Sequence, residues 1–281
     1  METTVSRETV HAPVGFGKAF VEQFRLLWMS RRPLLMLAAL LAALALAGEP
    51  WNDNPLARLF TVWPVWLILA GPFWGFAVWY NEGPGNRLYF WSHPVSRTGH
   101  SMARVGAGAA WLLVVYAAMI VAAMLFAAFD GDLAQFGAVA FISWLSFFTG
   151  ALIGYLAISA LTVWSEYPIR WSLGLLFGFP ITVTLLDEWL ELEDLVRWLT
   201  RPLTDQSWGL GVAMVAPFAV AMDRLRTVIG GSTGGGGSAP ETIDLGTWWL
   251  AVSLWVLFWA ALVFLLARRH PDTFPRWRGA A

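Results

Sequence analysis

The chain has 281 residues, of which 58% are hydrophobic and 13% charged, with a formal net charge of −1 and no cysteine. Soluble domains carry roughly 25% charged residues. This balance argues against a soluble enzyme, a disordered chain or a nucleic-acid binder, and the missing cysteine removes disulfides, thiolate metal ligands and cysteine nucleophiles.

Residues 15–32 read as an amphipathic helix within a cytoplasmic N-terminal segment, 1–32. Phe16, Phe20, Phe24 and Leu27 share one face, and Lys18, Glu22, Arg25 and Arg32 lie on others. Such a basic helix with an aromatic face is expected to lie in the inner headgroup layer, the alternative being a helix packed on a partner. Six apolar stretches follow, at 33–48, 61–80, 105–129, 136–164, 171–186 and 246–267, and none contains Asp, Glu, Lys, Arg or His. A span needs about 20 apolar residues. The first and fifth stretches have 16 each, so they are expected to borrow flanking residues. Ser30-Arg31-Arg32 and Ala45-Leu46-Ala47 bracket the first stretch in the manner of a cleaved twin-arginine signal, but a retained first span is the expectation in so apolar a chain. The predicted fold is all-α, with an N-terminal interfacial helix and six transmembrane helices.

Topology follows from the arginines. With both ends inside, the inner segments carry 13 basic residues and the outer ones 5. That satisfies the positive-inside rule. Trp79, Trp164 and Trp171 then fall at inner span ends, and Trp248 and Trp249 at the outer start of the last span. The spans 33–186 enclose an inner loop at 81–104. An outer region at 187–245 precedes the sixth span and cytoplasmic tail, 246–281. Within that outer region, 187–199 is expected to form a helix lying on the surface. Residues 208–222 are too short to cross and read as re-entrant or interfacial, and 230–238 is a glycine-rich linker. The linker holds a literal G-x-S-x-G around Ser232, without the strand–turn–helix setting a nucleophile needs.

Much chemistry is missing. No span carries an ionisable group for a proton relay, and no P-loop or H-E-x-x-H motif occurs. His93 and His100 lack nearby carboxylates and read as polar loop residues, so no metal, catalytic or cofactor site is expected on this chain. The acidic residues Asp187, Glu188, Glu191, Glu193 and Asp194 read as a solvated helix face. Three G-x-x-x-G pairs, Gly71/Gly75, Gly150/Gly154 and Gly174/Gly178, lie in spans and point to close helix packing, within the chain first and between chains second.

The loop 81–104 reads Glu82-Gly83, then Arg87, then Ser92-His93-Pro94-Val95-Ser96-Arg97, then Ala103-Arg104 opening the third span. With the layout of spans, it resembles the permease subunits of type 2 ABC exporters. The resemblance implies a coupling helix that touches a separate ATPase, with Glu82, Arg87, His93, Pro94, Ser96, Arg97 and Arg104 as partner-coupling residues. It also implies two ATPase copies holding ATP and Mg, a second permease chain identical or homologous to this one, and a bacterial cytoplasmic membrane. Gly83-Pro84-Gly85-Asn86 and the glycine tract depart from the family pattern. The implied function is export or extraction of an apolar or amphipathic cargo. The alternative is a non-transporting structural or anchoring subunit of a larger membrane complex.

Overall fold

The computed structural model describes residues 15–30, 64–80, 97–129, 133–165, 168–186, 192–205, 208–210, 213 and 245–269. Among them every regular element is helical. In chain order they are α1 (16–30), α2 (Pro64–Trp79), α3 (Arg97–Phe129), α4 (Leu133–Trp164), α5 (Pro168–Leu173), α6 (Phe179–Thr184), α7 (Glu193–Thr204) and α8 (Leu245–Arg269), with a π-helical turn at Gly174–Gly178 joining α5 to α6.

Among the described residues three helices are long and apolar enough to cross a membrane, through Thr98–Val121 of α3, Trp144–Trp164 of α4 and Gly246–Arg269 of α8. The other three expected spans fare differently. Residues 33–48 lie outside the described residues. α2 has 16 residues, about 24 Å at 1.5 Å per residue. The fifth stretch is one helical rod interrupted by the π turn. Pro180, near the start of α6, has no N–H to return to the turn before it, and its ring needs room beside that turn's carbonyl. A π turn between Gly174 and Gly178 opens the preceding turn.

α4 is the central helix. In its spanning part 72% of residues are buried, against 33% in α3 and 28% in α8. The main core joins Leu27 of α1, Trp74 and Val78 of α2, Trp111 and Tyr116 of α3, Phe147, Tyr155 and Val163 of α4, and Val263 of α8.

α2 and α4 form the most extensive helix pair, and glycine sets their approach. A Cβ at Gly71 would strike the carbonyl of Ala151, one at Gly75 would come within 2.9 Å of Ile158, and one at Gly154 within 2.7 Å of the Pro72 ring. In lipid no solvent squeezes helices together, so backbone approach at small residues supplies the packing. Gly150 is buried on the same helix. Gly174 and Gly178, expected to pack, have no heavy atom within 4 Å of a notional Cβ, and the rod 168–186 exposes Leu175, Phe177 and Ile181. It stands beside the bundle, touching α4 where Trp171 meets Trp164 at 5.2 Å.

Tryptophan indoles pin the helices to one another. Trp74 Nε1 donates to Gly108 O at 2.9 Å, Trp111 to Phe24 O at 3.0 Å and Trp144 to Tyr116 O at 2.6 Å. Tyr155 adds a phenolic bond to Val105 O at 2.9 Å. Each acceptor is a main-chain carbonyl of a neighbouring helix, which leaves a buried donor satisfied without a polar side chain opposite it.

Candidate functional site

The loop singled out by the sequence joins the end of α2 to the start of α3. Glu82, Arg87, His93, Pro94 and Ser96 lie outside the described residues. Arg97 is the first residue of α3. Arg104 ties together the two helices that flank the loop.

Arg104 is 5% exposed. Its Nε and one terminal nitrogen both donate to Val78 O, at 3.1 and 2.6 Å, and its other terminal nitrogen donates to Gln23 Oε1 at 2.9 Å. The guanidinium lies 5.6 Å from the centre of a Trp79 ring. Val78 is in the last turn of α2, where carbonyls have no partner within the helix and the helix dipole favours a cation. A planar fork meets that need better than an ammonium would. One side chain therefore fastens α1, the end of α2 and the start of α3.

Polar groups cluster around it. Trp79 Nε1 donates to Ser159 Oγ at 3.3 Å. His100 and Ser101 are buried on α3. His100 lies within the first turns of α3. Among the described residues no three His, Asp or Glu side chains gather to hold a metal.

α1 packs part of its aromatic face onto α3, while Phe16, Val21, Leu26 and Met29 stay exposed. Phe24 stacks on Trp111 at 4.5 Å and Trp28 at 5.0 Å, and Phe20 reaches 3.4 Å from a notional Cβ on Gly106. Ala19, Gln23 and Leu27 form the buried stripe, while Lys18, Glu22 and Arg25 face outward. The apolar period showed that a face would be buried, and the indole of Trp111 with its bond to Phe24 O decides against what. Gln23 was missed as a functional residue. Its signal was a lone amide at the middle of an i, i+4, i+8 apolar stripe, Ala19 to Leu27.

On the opposite part of the bundle, the start of the 208–222 segment packs on the first half of α8. Trp255 Nε1 donates to Trp208 O at 2.9 Å and Trp248 Nε1 to Ala213 O at 3.2 Å. Residues 208–210 and Ala213 thus follow α8 in the opposite direction, with fully buried Ala213 in a second core of Ile153, Trp248, Ala251, Val252 and Trp255. The remainder of the segment, and the linker 230–238, lie outside the described residues.

No protein-family model matches the chain, and neither the curated proteins nor the solved structures contain a similar one. Over the described residues the class that the fold defines is all-helical, with three helices long and apolar enough to cross a membrane.

Proposed function

We propose that this chain is the transmembrane permease subunit of an ATP-driven exporter of the type 2 ABC class. A separate ATPase would hold ATP and Mg, and a second permease chain would complete the pore in a bacterial cytoplasmic membrane. The loop motif from Glu82 to Arg104 and the charge-free apolar stretches support this reading.

The observation that carries it is the clamp at Arg104. A loop that receives a push must be mounted on a base that does not yield. Here both feet of the loop are tied to one guanidinium and, through Gln23, to α1. Displacement of residues 81–96 would be delivered to α1, α2 and α3 together rather than absorbed at one hinge. An apolar or amphipathic cargo fits apolar stretches without Asp, Glu, Lys, Arg or His, since ATP-driven rigid-body movement needs no proton relay in the membrane.

The experiment is affinity purification of the tagged chain in mild detergent with mass spectrometry of its companions, followed by ATP hydrolysis of the recovered complex. A P-loop ATPase in near-equal amount is expected, and Glu82→Ala or Arg97→Ala should lower its hydrolysis while leaving membrane insertion intact. Recovery of non-ATPase membrane subunits alone would replace this reading with that of an anchoring subunit.

A further inference from the structure

α7 is strongly amphipathic, and among the described residues nothing covers its apolar side. Leu195 is 42% and Trp198 70% exposed, with Leu199 and Pro202 half-buried on the same side. An exposed tryptophan amid leucines normally marks an interface with protein or with lipid.

Two sets of contacts choose between them. The ends of α7 are tied to apolar helices. At its start, Leu192 N–H donates to Leu186 O at 3.0 Å, joining α7 directly to the end of the rod 168–186. At its finish, Asp205 O accepts from Gly209 N–H at 2.8 Å and Asp205 Oδ1 from Trp208 N–H at 3.4 Å. Trp208 is itself held by Trp255 of α8. A 12-residue helix tied at both ends to such elements stays beside them.

The charges of α7 point the same way. Arg197 pairs with Glu193 at 3.2 Å and Asp194 at 4.0 Å, and Arg201 pairs with Asp205 at 3.5 Å. The polar side therefore meets its charges within the helix. It presents little net field to an anionic headgroup or to a charged protein partner, and suits a water-facing surface above a lipid-facing one.

We infer that α7 is a lipid-contacting helix, its Leu195–Trp198–Leu199–Pro202 side resting on the acyl chains of the leaflet nearest the start of α8. Apolar insertion holds it there, without anionic lipid. The assignment uses only the spanning character of α8 and the ties at Leu192 and Asp205, so it stands or falls separately from the exporter reading.

The chain has no cysteine, so single cysteines can be labelled with a nitroxide in the full-length protein. Leu195→Cys, Trp198→Cys and Pro202→Cys would be compared with Asp194→Cys, Arg197→Cys and Arg201→Cys in phosphatidylcholine nanodiscs. Collision rates with oxygen and with a water-soluble nickel chelate are then measured. Oxygen should dominate at the first three positions and nickel at the second three, and added phosphatidylglycerol should leave the pattern unchanged. Shielding of the first three from both reagents means a protein covers the face, and overturns the inference, as does nickel dominance there. A pattern that appears only with anionic lipid also overturns it. The tryptophan itself gives a check without introduced cysteines. Brominated acyl chains should quench the wild type more than Trp198→Phe, and equal quenching refutes contact.

Discussion

A methyl group added at Gly71 should weaken the bundle, and the same change at Gly174 should not. At Gly71 the new Cβ would overlap the Ala151 carbonyl group and come within 2.6 Å of the Ala151 Cα. Those atoms are backbone, so no rotamer change relieves the contact and α2 has to retreat from α4. A gap of about 0.5–1 Å forfeits a quarter to a half of each affected dispersion contact. Overpacking of this kind costs about 1–3 kcal/mol. At Gly174 nothing lies within 4 Å. There alanine brings only its helix preference, about 0.5–1 kcal/mol in the stabilising direction. That preference is common to both variants and cancels between them, so they should separate by the overpacking cost, about 1–3 kcal/mol, roughly fivefold or more in the unfolding equilibrium. Titration of the purified chain with SDS in mixed micelles, followed by circular dichroism, reads the difference. Gly154→Ala, whose Cβ would meet the rigid Pro72 ring at 2.7 Å, should side with Gly71→Ala. If Gly71→Ala unfolds no earlier than wild type, the α2–α4 crossing is not set by glycine.

Arg104→Gln should free α1 and expose Arg25 and Lys18 to trypsin. Loss of charged hydrogen bonds worth about 1.5–3 kcal/mol each, partly offset by relief of a buried charge, accelerates cleavage about tenfold or more. Arg104→Lys, which keeps the charge without the fork, should fall between; cleavage at the wild-type rate in both would show that the clamp is dispensable. Trp111→Leu removes two aromatic stacks and the bond to Phe24 O, together about 2–4 kcal/mol. Amides of residues 16–30 should then exchange faster by hydrogen–deuterium mass spectrometry, and unaltered exchange would contradict the packing of α1 on α3. Trp259 Nε1 is buried without an acceptor, whereas Trp74 Nε1 has Gly108 O. In the same SDS titration Trp259→Phe should therefore match or exceed wild-type stability while Trp74→Phe loses about 1 kcal/mol. The reverse order would mean that the Trp259 indole is engaged in the membrane.

The helical class was legible because long charge-free runs leave the backbone no other way to satisfy itself in lipid. The spacing of Gly71 with Gly75 showed a close-approach face, though not which helix it meets. What the residues concealed has physical causes. The Phe20–Phe24–Leu27 stripe on α1 records a need for an apolar medium, and lipid and a protein groove satisfy it equally. Arg104 reads in the sequence as one more cytoplasmic charge, since nothing local reveals that its long side chain reaches back to the end of α2. The π turn before Pro180 breaks a run whose composition looks continuous. The loop from Glu82 to Ser96, on which the coupling assignment turns, lies outside the described residues.

The indole bonds bear on how such a chain diverges. Each one fixes the donor residue and leaves the acceptor position free in identity, because any amino acid supplies the same main-chain oxygen. Phe24, Tyr116 and Ala213 could each be exchanged for another helix-compatible side chain of suitable size without losing the bond that ends on it. Contacts of this sort produce no matched pair of changing residues. A lineage built on them can drift in sequence while its helices keep their places, and its kinship would then be visible in the geometry of the bundle before it is visible in an alignment.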